Sequence, residues 1–395
     1  MKRHILSVFT LFSLLGATAQ VEVEMGAGYA NQVFYSLENG VVASSPVNNW
    51  DLAFETSGQG SVIRTNEGYG AELSLYNGPL ADFTTLDTSG FEGWQTLHNS
   101  DASWSAGAFN EYLKDDFDLG WGMYSMVTHT VSGDSIYVLK TIDGAYKKLF
   151  IEKLSGGTYY MVHSNLDNTG LDTAKIAKAD YTSKNFIYYS FANDDIVDRE
   201  PANDTWDLTF TKYSTELSPG THYSVTGVLT NNGILSQEVS GLPAEKLAHN
   251  DEDFDANNGI IGYDWKTFNM SSFSYDIEDS LAYFVKTADE TIYKLVFTGF
   301  EGSSTGVFEF TQEEIITTGL TASNTTLEAY PNPTNGLVNI GATEGEVRVF
   351  ASNGTLQLST PLYDGLLDLS DLDAGIYFVQ LTSSTSVYTT TITKQ

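Results

Sequence analysis

The sequence predicts a mostly β protein that contains an internal repeat and ends in a small Ig-like β-sandwich. Short runs such as residues 51–54 alternate polar with apolar side chains, which is the period of a half-buried strand. Aromatic residues make up 13% of the chain and charged residues only 18%, a balance that favours folded β structure over disorder. No long amphipathic helical pattern is found, and 395 residues suffice for two or three domains.

Charge and cysteine content exclude several classes of protein. The formal net charge is −32, from 19 basic and 51 acidic side chains, so nucleic acid and anionic membrane surfaces are not expected partners. The chain has no cysteine. Disulfides, thiolate metal sites, a cysteine nucleophile and a lipid-anchored N-terminal cysteine are therefore ruled out.

Residues 1–19 have the layout of a secretory signal peptide. A charged start at residues 2–4 precedes an apolar run at 5–15, and Ala17-Thr18-Ala19 forms a small-residue cleavage site. The apolar run is too short to span a bilayer, and no later stretch approaches the required length. The mature chain is expected to begin near Gln20 and to lack a transmembrane segment.

A repeated motif organises the next 300 or so residues. Trp50-Asp51-Leu52-Ala53-Phe54 recurs as Trp206-Asp207-Leu208-Thr209-Phe210, and other matches keep the same order. These matches are residues 33–36 with 187–190, 98–99 with 249–250, 121–126 with 265–270, and 137–141 with 283–287. The pattern predicts a duplicated domain, with one copy at residues 20–178 and a second at 179–316.

Each copy is expected to contain a hairpin near its end. In the first copy, strands at 136–142 and 145–154 flank Asp143-Gly144, a pair that supplies the positive φ angles of a tight turn. The second copy has Asp289-Glu290 at that position, which predicts a longer loop there.

A polar linker and a third unit complete the chain. Residues 317–326 are rich in Thr, Ser, Asn and Gly, and this composition is typical of a linker. Short predicted strands at 345–351, 366–369 and 375–382 follow, separated by turn residues. This spacing predicts a small β-sandwich over residues 327–395.

The third unit closely resembles the type A C-terminal sorting domain of the type IX secretion system. The residues that carry the resemblance include Pro331, Asn332, Pro333, Gly336, Gly354, Gly375 and Tyr377. The resemblance implies that residues 327–395 are a secretion address read by an outer-membrane translocon, and that they are removed or exchanged for an anchor after export. The expected location is the medium or the outer-membrane surface.

The two repeats are similar to the HmuY haemophore family. The second copy carries the likeness at residues 206–208, 283–289 and 293–298, and the first copy at 50–52 and 140–144. The resemblance implies haem held between two axial side chains, His in some members and Met in others.

The family pattern places one axial ligand five residues after a Trp, which is Met126 after Trp121 and Met270 after Trp265. Methionine is a competent haem ligand, but thioethers also serve as core filler. His98 and His249, aligned between the copies, are the candidates for the second ligand, although a single His beside Asn in a turn is usually just solvated.

No catalytic residue is predicted. The Ser elbow, zinc-protease and P-loop patterns are all missing from the sequence. Residues 251–257 alternate oxygen ligands like a calcium loop but lack its Gly and its Glu, so no metal site is predicted there. We expect a non-enzymatic exported protein that binds haem, or alternatively a structural or adhesive surface protein that does not.

Overall fold

The computed structural model describes residues 19–113, 116–315, 327–341, 345–352, 354–382 and 387–395. The chain is divided into two compact units. The N-terminal unit ends at Ile315, and the C-terminal unit begins at Ile316. The predicted linker and all of the predicted signal peptide except Ala19 lie outside the described residues.

The described part of the N-terminal unit is built from strands and short 3₁₀ helices, which confirms the mostly β prediction. Its strands are β1 Ala19–Glu24, β2 Asn31–Ser36, β3 Gly40–Pro46, β4 Leu52–Glu55, β5 Ile63–Thr65, β6 Glu72–Tyr76, β7 Gln95–Leu97, β8 Gly122–Ser125, β9 Thr130–Gly133, β10 Ile136–Lys140, β11 Tyr146–Ser155, β12 Thr158–Asn165, β13 Asp172–Ala177, β14 Phe186–Ser190, β15 Asp195–Val197, β16 Leu208–Ser218, β17 Thr221–Thr230, β18 Leu235–Ser240, β19 Lys266–Asn269, β20 Ser274–Ile277, β21 Leu281–Lys286, β22 Ile292–Phe300 and β23 Val307–Ile315. Its 3₁₀ helices are η1 Ala27–Tyr29, η2 Glu67–Tyr69, η3 Leu80–Thr84, η4 Phe91–Gly93, η5 Ala108–Asn110, η6 Lys178–Asp180, η7 Ala244–Lys246 and η8 Gly302–Ser304.

These strands form two halves of matching design. In the first half, a sheet of order β13-β12-β11-β10-β6-β7 faces a smaller sheet of order β15-β14-β4-β5. In the second half, β1-β23-β22-β21-β18 faces β17-β16-β2-β3. Each half has its own apolar core, and in each core a Trp is almost fully buried, Trp121 in the first and Trp265 in the second. Each half thus buries one face of each of its two sheets.

The halves do not coincide with the sequence repeats, because the repeats exchange strands. β2 of the first repeat pairs with β16 of the second, with Tyr35 opposite Leu208. β14 of the second repeat pairs with β4 of the first, with Tyr189 opposite Leu52. The first half is therefore one continuous segment, β4 to β15. The second half is β16 to β23 completed by β1, β2 and β3 from the chain's beginning.

The repeated Trp-Asp motif holds these exchanged strands. Asp51 is 1% exposed and accepts hydrogen bonds from the backbone N–H groups of Ile142 (3.0 Å) and Phe191 (2.8 Å). Asp207 accepts one from the N–H of Leu37 at 2.7 Å. Since Phe191 and Leu37 follow β14 and β2, each Asp binds the turn that leaves the strand donated by the other repeat. The motif is structural.

The predicted hairpin of the first copy is present, with β10 and β11 paired and Gly144 at φ 84°. The prediction of a longer loop in the second copy is wrong. The N–H of Thr287 donates to Thr291 O (2.9 Å) just as that of Thr141 donates to Ala145 O (2.8 Å). Glu290 adopts the left-handed φ of 71° in place of glycine, so the loop keeps its length at the cost of backbone strain.

The C-terminal unit is a small sandwich of two sheets, as predicted. A sheet of order β24-β25-β28 and a sheet of order β27-β26-β29-β30 enclose an apolar core that includes Val338, Val349 and Val379. The strands are β24 Ala329–Tyr330, β25 Leu337–Ile340, β26 Gly345–Ala351, β27 Leu356–Leu362, β28 Leu366–Asp368, β29 Gly375–Thr382 and β30 Val387–Lys394. Among the described residues, no helix has the length and apolarity to cross a bilayer.

Candidate functional site

Both candidate methionines lie at the tips of equivalent hairpins. Met126 follows β8 and is 66% exposed, and Met270 follows β19 and is 73% exposed. The core-filler interpretation is therefore wrong for both side chains. The tips also expose other apolar groups, namely Val127 at 90% and Phe273 at 78%.

The two tips share one turn geometry. The N–H of His129 donates to Ser125 O at 2.8 Å, and that of Phe273 donates to Asn269 O at 2.9 Å. His129 and Phe273 both have left-handed backbone, with φ of 52° and 57°. A bulky residue in this region is strained, and such strain is concentrated at functional sites. The tips are therefore candidate contact points for a ligand or partner.

A cleft lies beside the tip of the first half. Its volume is about 450 Å³, and its apolar wall includes Phe117, Leu119, Val131 and Leu154. His129 also lines the cleft, and its Nδ1 lies 2.9 Å from the hydroxyl oxygen of Tyr124. Apolar walls with one or two convergent polar groups are typical of small-molecule sites.

The two candidate histidines belong to other segments than the methionine hairpins. His98 follows β7, and His249 lies in the segment after η7, where its Nδ1 is 3.2 Å from a carboxylate oxygen of Asp251. The structure also gives the two residues different surroundings. The ring of His249 packs against Phe284, with centroids 5.5 Å apart, whereas that of His98 stacks on His222 at 3.5 Å.

The repeat alignment of His98-Asn99 with His249-Asn250 is not matched by equivalent contacts. Asn99 donates through Nδ2 to Thr65 O at 2.8 Å, and Asn258 donates to Thr230 O at 3.0 Å. Thr65 and Thr230 end equivalent strands, β5 and β17. Asn258, and not Asn250, therefore has the structural role of Asn99.

His98 belongs to a cluster that includes residues from both halves. Its Nδ1 contacts Glu67 Oε1, and its ring is parallel to that of His222 within 2°. Burial lowers the pKa of His98, but the hydrogen bond and charge of Glu67, with Glu111 and Glu216 nearby, outweigh it and raise the pKa above its usual value.

The sorting-motif residues of the C-terminal unit are placed by specific contacts. Asn332 donates to Thr391 O (2.7 Å) and accepts from the N–H of Thr393 (2.9 Å). These bonds attach the segment that precedes β25 to strand β30. The hydroxyl of buried Tyr377 donates to Asp373 O at 2.8 Å. Gly354 has φ 80°, a turn conformation that favours glycine. Pro331, Pro333 and Gly336 lie between β24 and β25, and Gly375 is the first residue of β29.

Comparison with known families agrees with this geometry. The model of the secretion system C-terminal sorting domain matches residues 328–395. No curated protein matches the chain. The C-terminal unit is thus a type IX sorting domain, and the chain is exported by that system to the medium or the outer-membrane surface.

Sequence reasoning set His129 aside and missed Glu67 and His222. His129 has no counterpart in the second repeat, where Phe273 stands, so a search for shared ligands discards it. Glu67 and His222 lie far apart in the sequence, and no short motif joins them. Only the packing of the two halves brings them together.

Proposed function

We propose that the exported N-terminal unit is a non-enzymatic binding protein, and that haem is its ligand. The observation that carries the proposal is the cleft of about 450 Å³ beside the first hairpin tip, where His129 and apolar side chains converge. Exposed Met126 stands on the same tip. Haem needs an apolar cleft of this kind together with His or Met side chains as axial ligands.

Of His129 and Met126, His129 is the stronger candidate for an axial ligand. Its Nδ1 is hydrogen-bonded to Tyr124, at 2.9 Å, which leaves Nε2 as the nitrogen that would face iron. A hydrogen bond at one ring nitrogen orients an imidazole for metal binding through the other. The resemblance to haem-binding proteins supports haem as the ligand, but it pointed to Met126 and Met270, and the alignment of the repeats pointed to His98 and His249, instead of to His129.

Haem titration of the full mature chain, followed by the Soret band, tests the proposal. We expect one haem per chain, and a shifted or weakened band for His129→Ala and Met126→Ala. Met123→Ala is the matched control, because Met123 lies on β8 of the same hairpin but not at its tip. Met270→Ala asks whether the second tip takes part, and His98→Ala and His249→Ala test the ligands indicated by the sequence repeat.

No Soret shift for the parent chain would reject haem. The exposed hairpin tips would then favour the alternative function, a structural or adhesive surface protein whose twin tips contact another surface. Exposed apolar groups of this size are a common mark of a contact site.

A further inference from the structure

Two elements of the first half carry Glu67 and His98 towards the second half. η2 packs so closely on β16 that a Cβ atom at Gly68 would lie 2.2 Å from Lys212 O, and only glycine permits this approach. The hydroxyl of Ser224 on β17 donates to Gly68 O at 2.8 Å, which holds the two elements together.

The loop after β7 docks on the second half as well. The indole N–H of Trp104 donates to Thr230 O at 2.7 Å, and the backbone N–H of Trp104 donates to the side chain of Asn258 at 3.1 Å. His98 begins this loop, and the N–H of Asn99 donates to Glu67 Oε2 at 3.0 Å. The side chains of Glu67 and His98, both from the first half, are thereby fixed against β17.

His222 comes from a hairpin extension that only the second half has. β16 and β17 contain 11 and 10 residues, whereas the equivalent β4 and β5 contain 4 and 3. His222 lies opposite Glu216 in this extension, and its Nδ1 is buried without a hydrogen-bond partner. A buried imidazole nitrogen without a partner is costly and calls for an explanation.

One ligand atom from each of Glu67, His98 and His222 lies within 4.8 Å of the other two. Around a tetrahedral Zn²⁺, with bonds of about 2.0–2.1 Å, neighbouring ligand atoms are separated by roughly 3.3 Å. Because the rings of His98 and His222 are parallel, with centroids 3.5 Å apart, one of these half-exposed imidazoles must rotate out of the stack for both to bind one ion. Two imidazoles and one carboxylate form a donor set that binds Zn²⁺ and leaves a fourth position for water.

We propose that Glu67, His98 and His222 bind a zinc ion that joins the two halves of the N-terminal unit. The ion neutralises the local excess of carboxylates, because Glu111 accepts a hydrogen bond from the backbone N–H of His98 and Glu216 lies opposite His222. Coordination through Nδ1 would also give this nitrogen of His222 the partner that it lacks. The site does not depend on haem, since its residues are not those that line the cleft at His129.

Equilibrium dialysis of the tag-free mature chain against Zn²⁺ tests the site, with Co²⁺ absorption as a second probe of coordination. We expect one tightly bound Zn²⁺ per chain and a melting temperature raised by roughly 5 °C at about a hundredfold excess over Kd. His222→Ala and His98→Ala should lower the affinity by about 100-fold or more, because losing even an outer partner of a zinc ligand costs ~10–100-fold.

The controls separate loss of the site from loss of the fold. His249→Ala removes an imidazole elsewhere and should leave zinc binding unchanged. Without metal, His222→Ala should melt within a few degrees of the parent, because its Nδ1 makes no hydrogen bond that folding would lose. Failure of the parent to bind one equivalent of Zn²⁺, or full-affinity binding by the His98→Ala/His222→Ala double variant, would overturn the proposal.

Discussion

Replacing Asp51 tests whether the Trp-Asp motif holds the exchanged strands. Asp51→Ala leaves the N–H groups of Ile142 and Phe191 buried without an acceptor. Each unsatisfied buried group costs about 1–3 kcal/mol, so the two together cost about 2–6 kcal/mol. Burial raises the pKa of Asp51, which shows that the ionised carboxylate is itself penalised, and this offsets part of the loss. We expect a net loss of about 3 kcal/mol.

Asp207→Ala provides an internal comparison of the same residue type in the same motif. Asp207 accepts one backbone N–H, from Leu37, so about half the loss is expected. Asp180→Ala is the exposed control and should stay within about 0.5 kcal/mol of the parent. Urea denaturation of the three variants, followed by circular dichroism, gives the free energies of unfolding.

The order of the three variants carries the test. If Asp51→Ala unfolded at the same urea concentration as Asp180→Ala, the two turn amides would not depend on the carboxylate. If Asp207→Ala lost more than Asp51→Ala, the number of backbone amides bound would not set the cost. Either result would refute the reasoning that links the motif to the exchange.

Three further predictions follow from features of the two units. Truncation before residue 317 should leave the melting transition of the N-terminal unit nearly unchanged and stop surface delivery; a large loss of stability would contradict the division into two units. Glu290→Gly should stabilise the chain by about 1 kcal/mol in urea denaturation, because it relieves the left-handed backbone at a position where the first copy has Gly144. A lower free energy of unfolding would show that the lost ion pair with Lys286 outweighs the relief of strain. Burial raises the pKa of Glu200 from 4.5 to about 7, so the contribution of its protonated form to stability is full below pH 4.5 and is lost as the pH rises through 7. The stability of Glu200→Gln relative to the parent should therefore rise by up to about 3 kcal/mol between pH 4.5 and 8. A stability difference that does not change with pH would contradict this prediction.

The strand content and the C-terminal sandwich could be predicted because they depend on local patterns. Alternating apolar residues, turn glycines and the sorting motif are each readable within a few residues. The exchange of strands could not be predicted this way. Residues 33–36 and 187–190 are so alike that either could pair with either Trp-Asp strand, and the choice depends on the packing of whole sheets.

The candidate sites show the same limit. The family pattern and the repeat alignment both favoured residues present in both copies and so led to Met126 and Met270, which the structure places at equivalent exposed tips. His129 and His222 each occur in one half only, so the symmetry that reveals the duplication conceals them. Function can arise where two copies have diverged, and a pattern search for common features passes over such positions.

The completion of the second half by the chain's first strands has a consequence for the order of events during synthesis and export. β1 is the first and β23 the last strand that the structure describes in the N-terminal unit, yet the two are partners, with Ala19 opposite Gln312. The first half is continuous and can fold while the rest of the chain is still being made. β1, at the start of the chain, can pair only after β23 has been made, and contacts between residues so distant in the sequence slow folding. The second half therefore closes only after its last strand is available, and β1 stays without its partner while all the strands between them are made.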